Sequence, residues 1–371
     1  MRATQARIHL DRLKKNIETV RNRIGPKPLL CMPVKADGYG HGAIPIAQEA
    51  LRLGVAVLAV ATVQEGVQLR KAGIEAPILL LSIPLPAELD ELAAYRLSPF
   101  IADAECAEAL AAAAGRAGVR LPVHLKIDTG MGRVGCRPET AAALAAYIAS
   151  FPSLHYAGTA THLAKADSLT AEALGYTQKQ LARFNEALDA IGKAGFDPGI
   201  VHAANSGAVL LHEDGYFDMV RPGILLYGYP PSAALASVAP VEPVMDLVTS
   251  VVFIKKVTPG EALSYGGTWI APADRLIATL PVGYGDGLPR GLSGKLQVLI
   301  RETLYPVVGR ICMDQCMVDL GQDTAVRRWD PVIIFGGIRG ALSAGDLAAL
   351  VHTIPYEITC TINKRVPRVY C

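Results

Sequence analysis

The chain has 371 residues, of which 51% are hydrophobic and 19% charged, with 36 basic residues against 34 acidic ones and a formal net charge of +2. That size supports a sizeable core in one large domain or two ordinary ones. The balanced charge gives no support to a broad nucleic-acid footprint, and no apolar run approaches the ~20 residues that span a bilayer.

The chain starts with "MRATQAR", which carries charge with no apolar stretch behind it, so no secretory signal is expected. Short apolar runs then recur at residues 29–34, 55–61, 77–81, 98–102, 122–128, 155–161, 199–202 and 216–220. Ala-, Leu- and Glu-rich stretches with i, i+3, i+4 spacing separate most of them, as at 44–53, 87–95, 105–117 and 170–194. Ala72-Gly73 and Ala194-Gly195 are turn signals that close helices. About eight strands alternating with helices over roughly 220 residues predict a (β/α)8 TIM-like barrel rather than an open sheet. The barrel is assigned to residues 1–240. A Pro/Ser/Ala linker follows "YPPS" and runs to about Pro243. Beyond it come short β-branched runs at 247–254, 275–281, 296–300, 307–311, 317–320 and 332–335. Turns such as Pro259-Gly260 and Gly285-Asp286-Gly287 punctuate them, which predicts a mostly-β domain over 241–371. Seven scattered cysteines without a Cys-x-x-Cys fit neither a disulfide framework nor four-ligand zinc. The expectation is a soluble cytoplasmic protein with reduced thiols and no metal.

Barrels of this kind carry functional residues at the C-terminal ends of their strands. The unusual residues fall there. Lys35 follows the first strand; Lys126, Asp128 and Arg133 end and follow the fifth; His162 follows the sixth. Asn205 and Ser206 follow the seventh, and Arg221, Pro222 and Gly223 the eighth. The loops after strands seven and eight often bind phosphate, and here they supply a hydroxyl and glycine-opened N–H groups up to Ile224. Lys35 lies in "CMPVKADGYGHGA", between an apolar strand and a glycine cluster. It reads either as a snorkelling surface lysine or as an amine of lowered pKa that forms a Schiff base. The glycines and Tyr39 favour the second reading. With a phosphate cradle nearby, they suggest pyridoxal phosphate, a cofactor fixed by an imine at one end and by phosphate contacts at the other.

The stretch from Gly130 to Gly135 matches G-x-G-x-x-G, but residue 155 is His where a dinucleotide site needs an acid. A loop that brings Arg133 over a site is the better account. The inward-facing Lys126 then needs a partner, because an unpaired buried charge is costly. Alone, His162 is more often a satisfied structural histidine than a catalyst, and Arg221 reads likewise as a simple salt-bridge residue; their neighbouring strand ends make both site candidates and no more. "LSYGGTW" reads as a tight turn that exposes Tyr265, and "GRICMDQCMVDL" as a strand pair.

Taken together, "VKADGYGHG", "KIDTGMGRVG", "ATHLAKAD", "NSGA", "RPGILLYG", "SYGGTW", "PVGYGDG", "GRICMDQ" and "IPYEI" make the chain resemble the alanine racemases, pyridoxal-phosphate enzymes of fold-type III, over essentially its whole length. The resemblance implies a head-to-tail homodimer in which each site combines one barrel with the partner's β domain. It implies that Lys35 holds the cofactor and that Tyr39, His162, Asn205, Ser206, Gly223, Ile224 and Tyr356 surround it, with Arg221 facing the ring nitrogen. It assigns the two bases to Lys35 and Tyr265, and the substrate carboxylate to Arg133 and the Met313 N–H. Lys126 matches a position that is often carbamylated. The implied role is interconversion of L- and D-alanine, supplying D-alanine for peptidoglycan. Competing readings are a broader-specificity racemase, a decarboxylase of the same barrel group and a non-catalytic carrier of the cofactor.

Overall fold

The computed structural model describes residues 2–371. Eight parallel strands form one sheet: Leu29–Pro33, Val57–Val60, Ile78–Leu80, Ser98–Ile101, Leu121–Lys126, Leu154–Ala160, Ile200–His202 and Met219–Val220. The last strand pairs with the first, so the sheet curls into a barrel. The remaining seam is joined by the Asp218 N–H to Val201 O (3.0 Å) and the Arg221 N–H to Ala204 O (2.8 Å). Most residues of these strands are buried on both faces, which is why they read in sequence as apolar runs. Helices between them have ordinary local causes. Val63–Lys71 opens on a Thr62/Glu65 capping box, and Ala104–Ala117 runs from an Asp103 cap to Gly118 at φ 64°.

The barrel interior is its own small core: Cys31, Val57, Ala59, Leu79, Phe100, Ala160 and Met219. Strands five and seven break it with buried polar residues, His124 and Lys126 on one and His202 on the other.

The second half is a nine-stranded sheet, antiparallel apart from one edge pair, with the short helices Ala344–Leu350 and Pro355–Cys360. Two details depart from the sequence reading. The run at 247–254 is two strands, Met245–Ser250 and Phe253–Val257, which lie in different parts of the sheet. The strand Gln5–Ile8, inside the range assigned to the barrel, joins this second sheet instead. It pairs antiparallel with Met245–Ser250 and parallel with Arg368–Tyr370, burying Ala6 and Ile8 completely. Both chain ends therefore meet in the β domain. No described helix is long and apolar enough to cross a membrane, and all seven cysteines are free.

Candidate active site

The cavity at the C-terminal mouth of the barrel holds about 460 Å³. Lys35, Tyr39, Arg133, His162, Asn205, Ser206, Arg221, Gly223 and Tyr356 all line it, so the barrel ends converge as the strand count required. Ile224 is buried just behind, and Asp167 is the one carboxylate on the wall among the described residues. Tyr356 comes from the second domain, at the first turn of Pro355–Cys360.

Lys35 is aimed by an unusual backbone. Ala36, Asp37, Gly38, Tyr39 and Gly40 take φ of 51°, 53°, 63°, 53° and 83°. This is a left-handed turn with its own bonds, Gly38 N–H to Val34 O (2.8 Å) and Gly40 N–H to Ala36 O (2.9 Å). Non-glycine residues there cost roughly 1–2 kcal/mol each. Side chains offset that by capping: Glu65 Oε1 accepts from the Ala36 N–H (2.7 Å), and Asp37 Oδ1 from the Ala43 N–H (2.9 Å). The turn lays Tyr39 against Tyr227 (ring centroids 4.7 Å apart) and toward Gly223. A β-carbon on Gly223 would lie 2.6 Å from the Tyr39 hydroxyl, so only glycine lets that hydroxyl approach the backbone here. The Gly223 N–H reaches Ser206 Oγ at 2.9 Å. Burial lowers the Lys35 pKa, and the Arg133 guanidinium lowers it further.

Arg221 is almost fully buried yet has no carboxylate partner among the described residues. Its Nη2 donates to Thr161 O (2.8 Å) and its Nη1 to His202 Nδ1 (2.5 Å). His202 Nδ1 must then be the acceptor, which places its proton on Nε2, facing His124 Nδ1 at 2.9 Å. Both rings are neutral in this arrangement. Burial and the nearby Arg221 charge hold His202 well below its usual pKa and His124 at about 4. The alternation in "HLKID" puts His124 on the same strand face as Lys126, but nothing local marks His202, which ends a short apolar run. Arg221 itself is pushed down to about 10 by burial and remains a cation at neutral pH. His162 lies 3.5 Å from it and is kept neutral chiefly by burial.

Lys126 is 5% exposed, and its Nζ reaches only Ile127 O (3.2 Å), above the Phe100 ring. Burial, then Arg221, brings its pKa down to about 7. The G-x-G-x-x-G loop beside it opens no helix directly. Asp128 Oδ1 instead accepts from the Gly130 and Gly132 N–H groups, which excludes the dinucleotide reading.

Tyr265 and Met313 are not in this cavity. They are 70% and 53% exposed on the β domain. Ser264, at φ 65°, donates Oγ to Arg310 O (2.6 Å) and fixes the turn that presents Tyr265. Met313 O accepts from the Gly285 N–H (2.9 Å) and from Arg365 Nη2 (3.3 Å). Arg365 is braced by Asp286 (2.7 Å). Burial alone would raise the Asp286 pKa; the hydrogen bonds from Arg2 and Arg365 outweigh it and hold the carboxylate low. Tyr284 and Ile354 are also exposed.

The wall fits pyridoxal phosphate. It offers one amine of lowered pKa and a cluster of hydroxyl and N–H groups around Gly223 for a dianion. Arg221 lines the same wall.

Residues 8–231 match the family described as alanine racemase, N-terminal domain, and residues 244–370 match alanine racemase, C-terminal domain. An alanine racemase of Treponema denticola is 49% identical, with 100% of this chain and 98% of that protein covered. One of Treponema pallidum is 47% identical, with both covered completely. The solved structure of alanine racemase from Clostridium difficile 630 superposes with a TM-score of 0.95 at 36% identity, covering 100% of this chain and 96% of that one. That of alanine racemase from Bacillus anthracis with bound L-Ala-P gives 0.93 at 34%, covering 100% and 95%.

Proposed function

The chain belongs to the alanine racemase family, matched through both of its domains, and from that premise we propose how its residues carry out the reaction. It is an amino-acid racemase that interconverts L- and D-alanine. The cofactor this site fits is pyridoxal phosphate; Lys35 would hold it at one end, and Tyr39, Ser206, the Gly223 and Ile224 N–H groups and Tyr356 would hold its phosphate. His162 and Asn205 complete the surround. When bound, pyridoxal phosphate supplies an electron sink that acidifies the Cα–H of the attached amino acid.

The protein residues then have distinct tasks. Lys35 Nζ takes or returns the Cα proton on one face. Tyr265 Oη of the partner subunit does so on the other. A single base would have to cross the plane of the substrate; two bases need not move. The lowered pKa of Lys35 raises the fraction of free amine available to act as a base near neutral pH. Arg221 only donates hydrogen bonds, and its anchorage on Thr161 O and His202 keeps its charge fixed. A fixed cation there would disfavour a protonated ring nitrogen on a bound cofactor, and so would moderate the sink. Arg133 and the Met313 N–H hold the substrate carboxylate. Lys126 carries a carbamate, the anion its buried position lacks, and pairs with Arg133.

One observation supports the dimer: a single chain has Lys35 in the cavity, while Tyr265 is exposed and outside its lining. The proposed assembly is a homodimer in which each β domain completes its partner's barrel. D-alanine for peptidoglycan and a cytoplasmic location follow from the family reading, and seven free cysteines support the latter.

The test is NMR of L-alanine with protein and pyridoxal phosphate in heavy water, followed by chiral analysis. Deuterium at Cα with D-alanine is expected. Tyr265→Phe should reduce racemisation at least ~10²-fold, the range of a lost general base, while cofactor binding stays near wild type. Equal loss of both would remove the two-base assignment.

A further inference from the structure

The turn that carries Lys35 is gripped from outside the barrel. Arg368 Nε donates to Gly40 O (3.0 Å). Its other nitrogens reach Asn363 O (2.7 Å), Val366 O (2.8 Å) and Ile362 O (2.6 Å). One planar guanidinium therefore ties the turn to the C-terminal segment through four backbone carbonyls, a geometry that lysine does not reproduce. Tyr370 Oη donates to His41 O (3.1 Å). From within, the buried His41 ring shares its Nδ1–H between Gly38 O (3.0 Å) and Tyr39 O (2.9 Å). The approach is intimate: a β-carbon on Gly42 would collide with the Tyr370 hydroxyl, and one on Gly40 with Thr359 O.

These contacts fall on a segment that needs them. Ala36, Asp37 and Tyr39 occupy the left-handed region without the freedom of glycine. Such a conformation persists only where its surroundings over-determine it. Arg368 and Tyr370 belong to the strand Arg368–Tyr370, parallel to Gln5–Ile8 in the β sheet, so the restraint comes from the other domain.

We propose that Arg368 and Tyr370 are positioning residues for the reaction: the C-terminal strand clamps the left-handed turn and thereby keeps the Lys35 amine aimed into the cavity. The proposal rests on the reading of Lys35 as the lysine that holds the cofactor. Both side chains act on the backbone of residues 40 and 41 and do not line the cavity.

The experiment compares wild type, Tyr370→Phe, which removes one hydroxyl and keeps the ring, and Arg368→Lys, which keeps the charge and loses the fork. Each apoprotein is titrated with pyridoxal phosphate, following the visible absorption of the lysine-bound cofactor and its pH midpoint. A Lys35→Ala control shows that the band belongs to Lys35. The clamp predicts about tenfold weaker cofactor affinity in each variant and a lower kcat with KM for alanine within about twofold, the signature of a site held too loosely. It also predicts a displaced pH midpoint, with melting of the apoproteins near wild type. If Arg368→Lys unfolds, Tyr370→Phe decides alone. Wild-type affinity and midpoint in a folded Tyr370→Phe would overturn the clamp. A band that survives in Lys35→Ala would instead overturn the Lys35 reading, and the clamp with it.

Discussion

An ammonium group needs water or an anion, and Lys126 is buried with no carboxylate in ion-pair contact among the described residues. As a free amine its folded pKa of about 7 lies below its unfolded value near ~10.4. Between these values the unfolded chain binds a proton that the folded chain does not, so stability rises with pH across that window, by up to about 1.4 kcal/mol per unit. Below pH ~7 the full penalty remains. Lys126→Met should remove this slope, read from denaturant unfolding at pH ~7.5 and ~9.5 in carbon-dioxide-free buffer. Added bicarbonate should stabilise wild type at the lower pH and leave Lys126→Met unchanged, because only the lysine forms a carbamate. Identical wild-type curves with and without bicarbonate would sink the carbamate proposal. The need for a partner was legible from the alternation in "HLKID", which turns Lys126 inward. The His202–His124 pair behind Arg221 was not, because one histidine in a short apolar run reads as an ordinary buried residue. Their pairing joins positions 78 apart in sequence.

Among the elements, the barrel strands were readable because double-faced burial imposes unbroken apolar runs on them. The strand Gln5–Ile8 was not, since four residues give too little alternation and its partners lie at the far end of the chain. The left-handed turn was visible only as a glycine cluster at 38, 40 and 42. Its rigidity comes from contacts with the second domain that no local pattern announces. Gly40 and Gly73 separate the two costs of a side chain at such positions. Both sit at positive φ, 83° and 82°, but only Gly40 abuts a backbone carbonyl, Thr359 O; nothing lies near Gly73. Gly73→Ala should therefore cost only the conformational penalty, about 1–2 kcal/mol, in urea unfolding of the apoprotein. Gly40→Ala should cost about 3 kcal/mol or more, since the clash adds to the strain. Equal losses would mean that the interface between turn and β domain yields freely.

At the scale of the whole molecule, the question is whether Lys35 and Tyr265 of one site come from one chain or two. Motif order along the chain could not answer it; the answer depends on where Tyr265 lies, and Tyr265 is exposed on the β domain and does not line the cavity of its own chain. The head-to-tail proposal makes a sharp distinction between two inactive variants. Lys35→Ala and Tyr265→Ala homodimers each lack a base in both sites. When their subunits are exchanged, a hybrid has one site with both bases intact, because the intact lysine and the intact tyrosine come from different chains. Its other site lacks both. Random exchange makes half of the dimers hybrid, each with one working site, so activity should return to about a quarter of wild type under the pairing rules of a symmetric dimer. Had both bases come from the same chain, every site in every hybrid would still lack one, and mixing would restore nothing. Measured by D-alanine formation after mild denaturation and co-refolding of equal amounts, recovery near that level supports the shared site. Activity that stays at the level of the separate variants, with hybrids shown to form, rules it out.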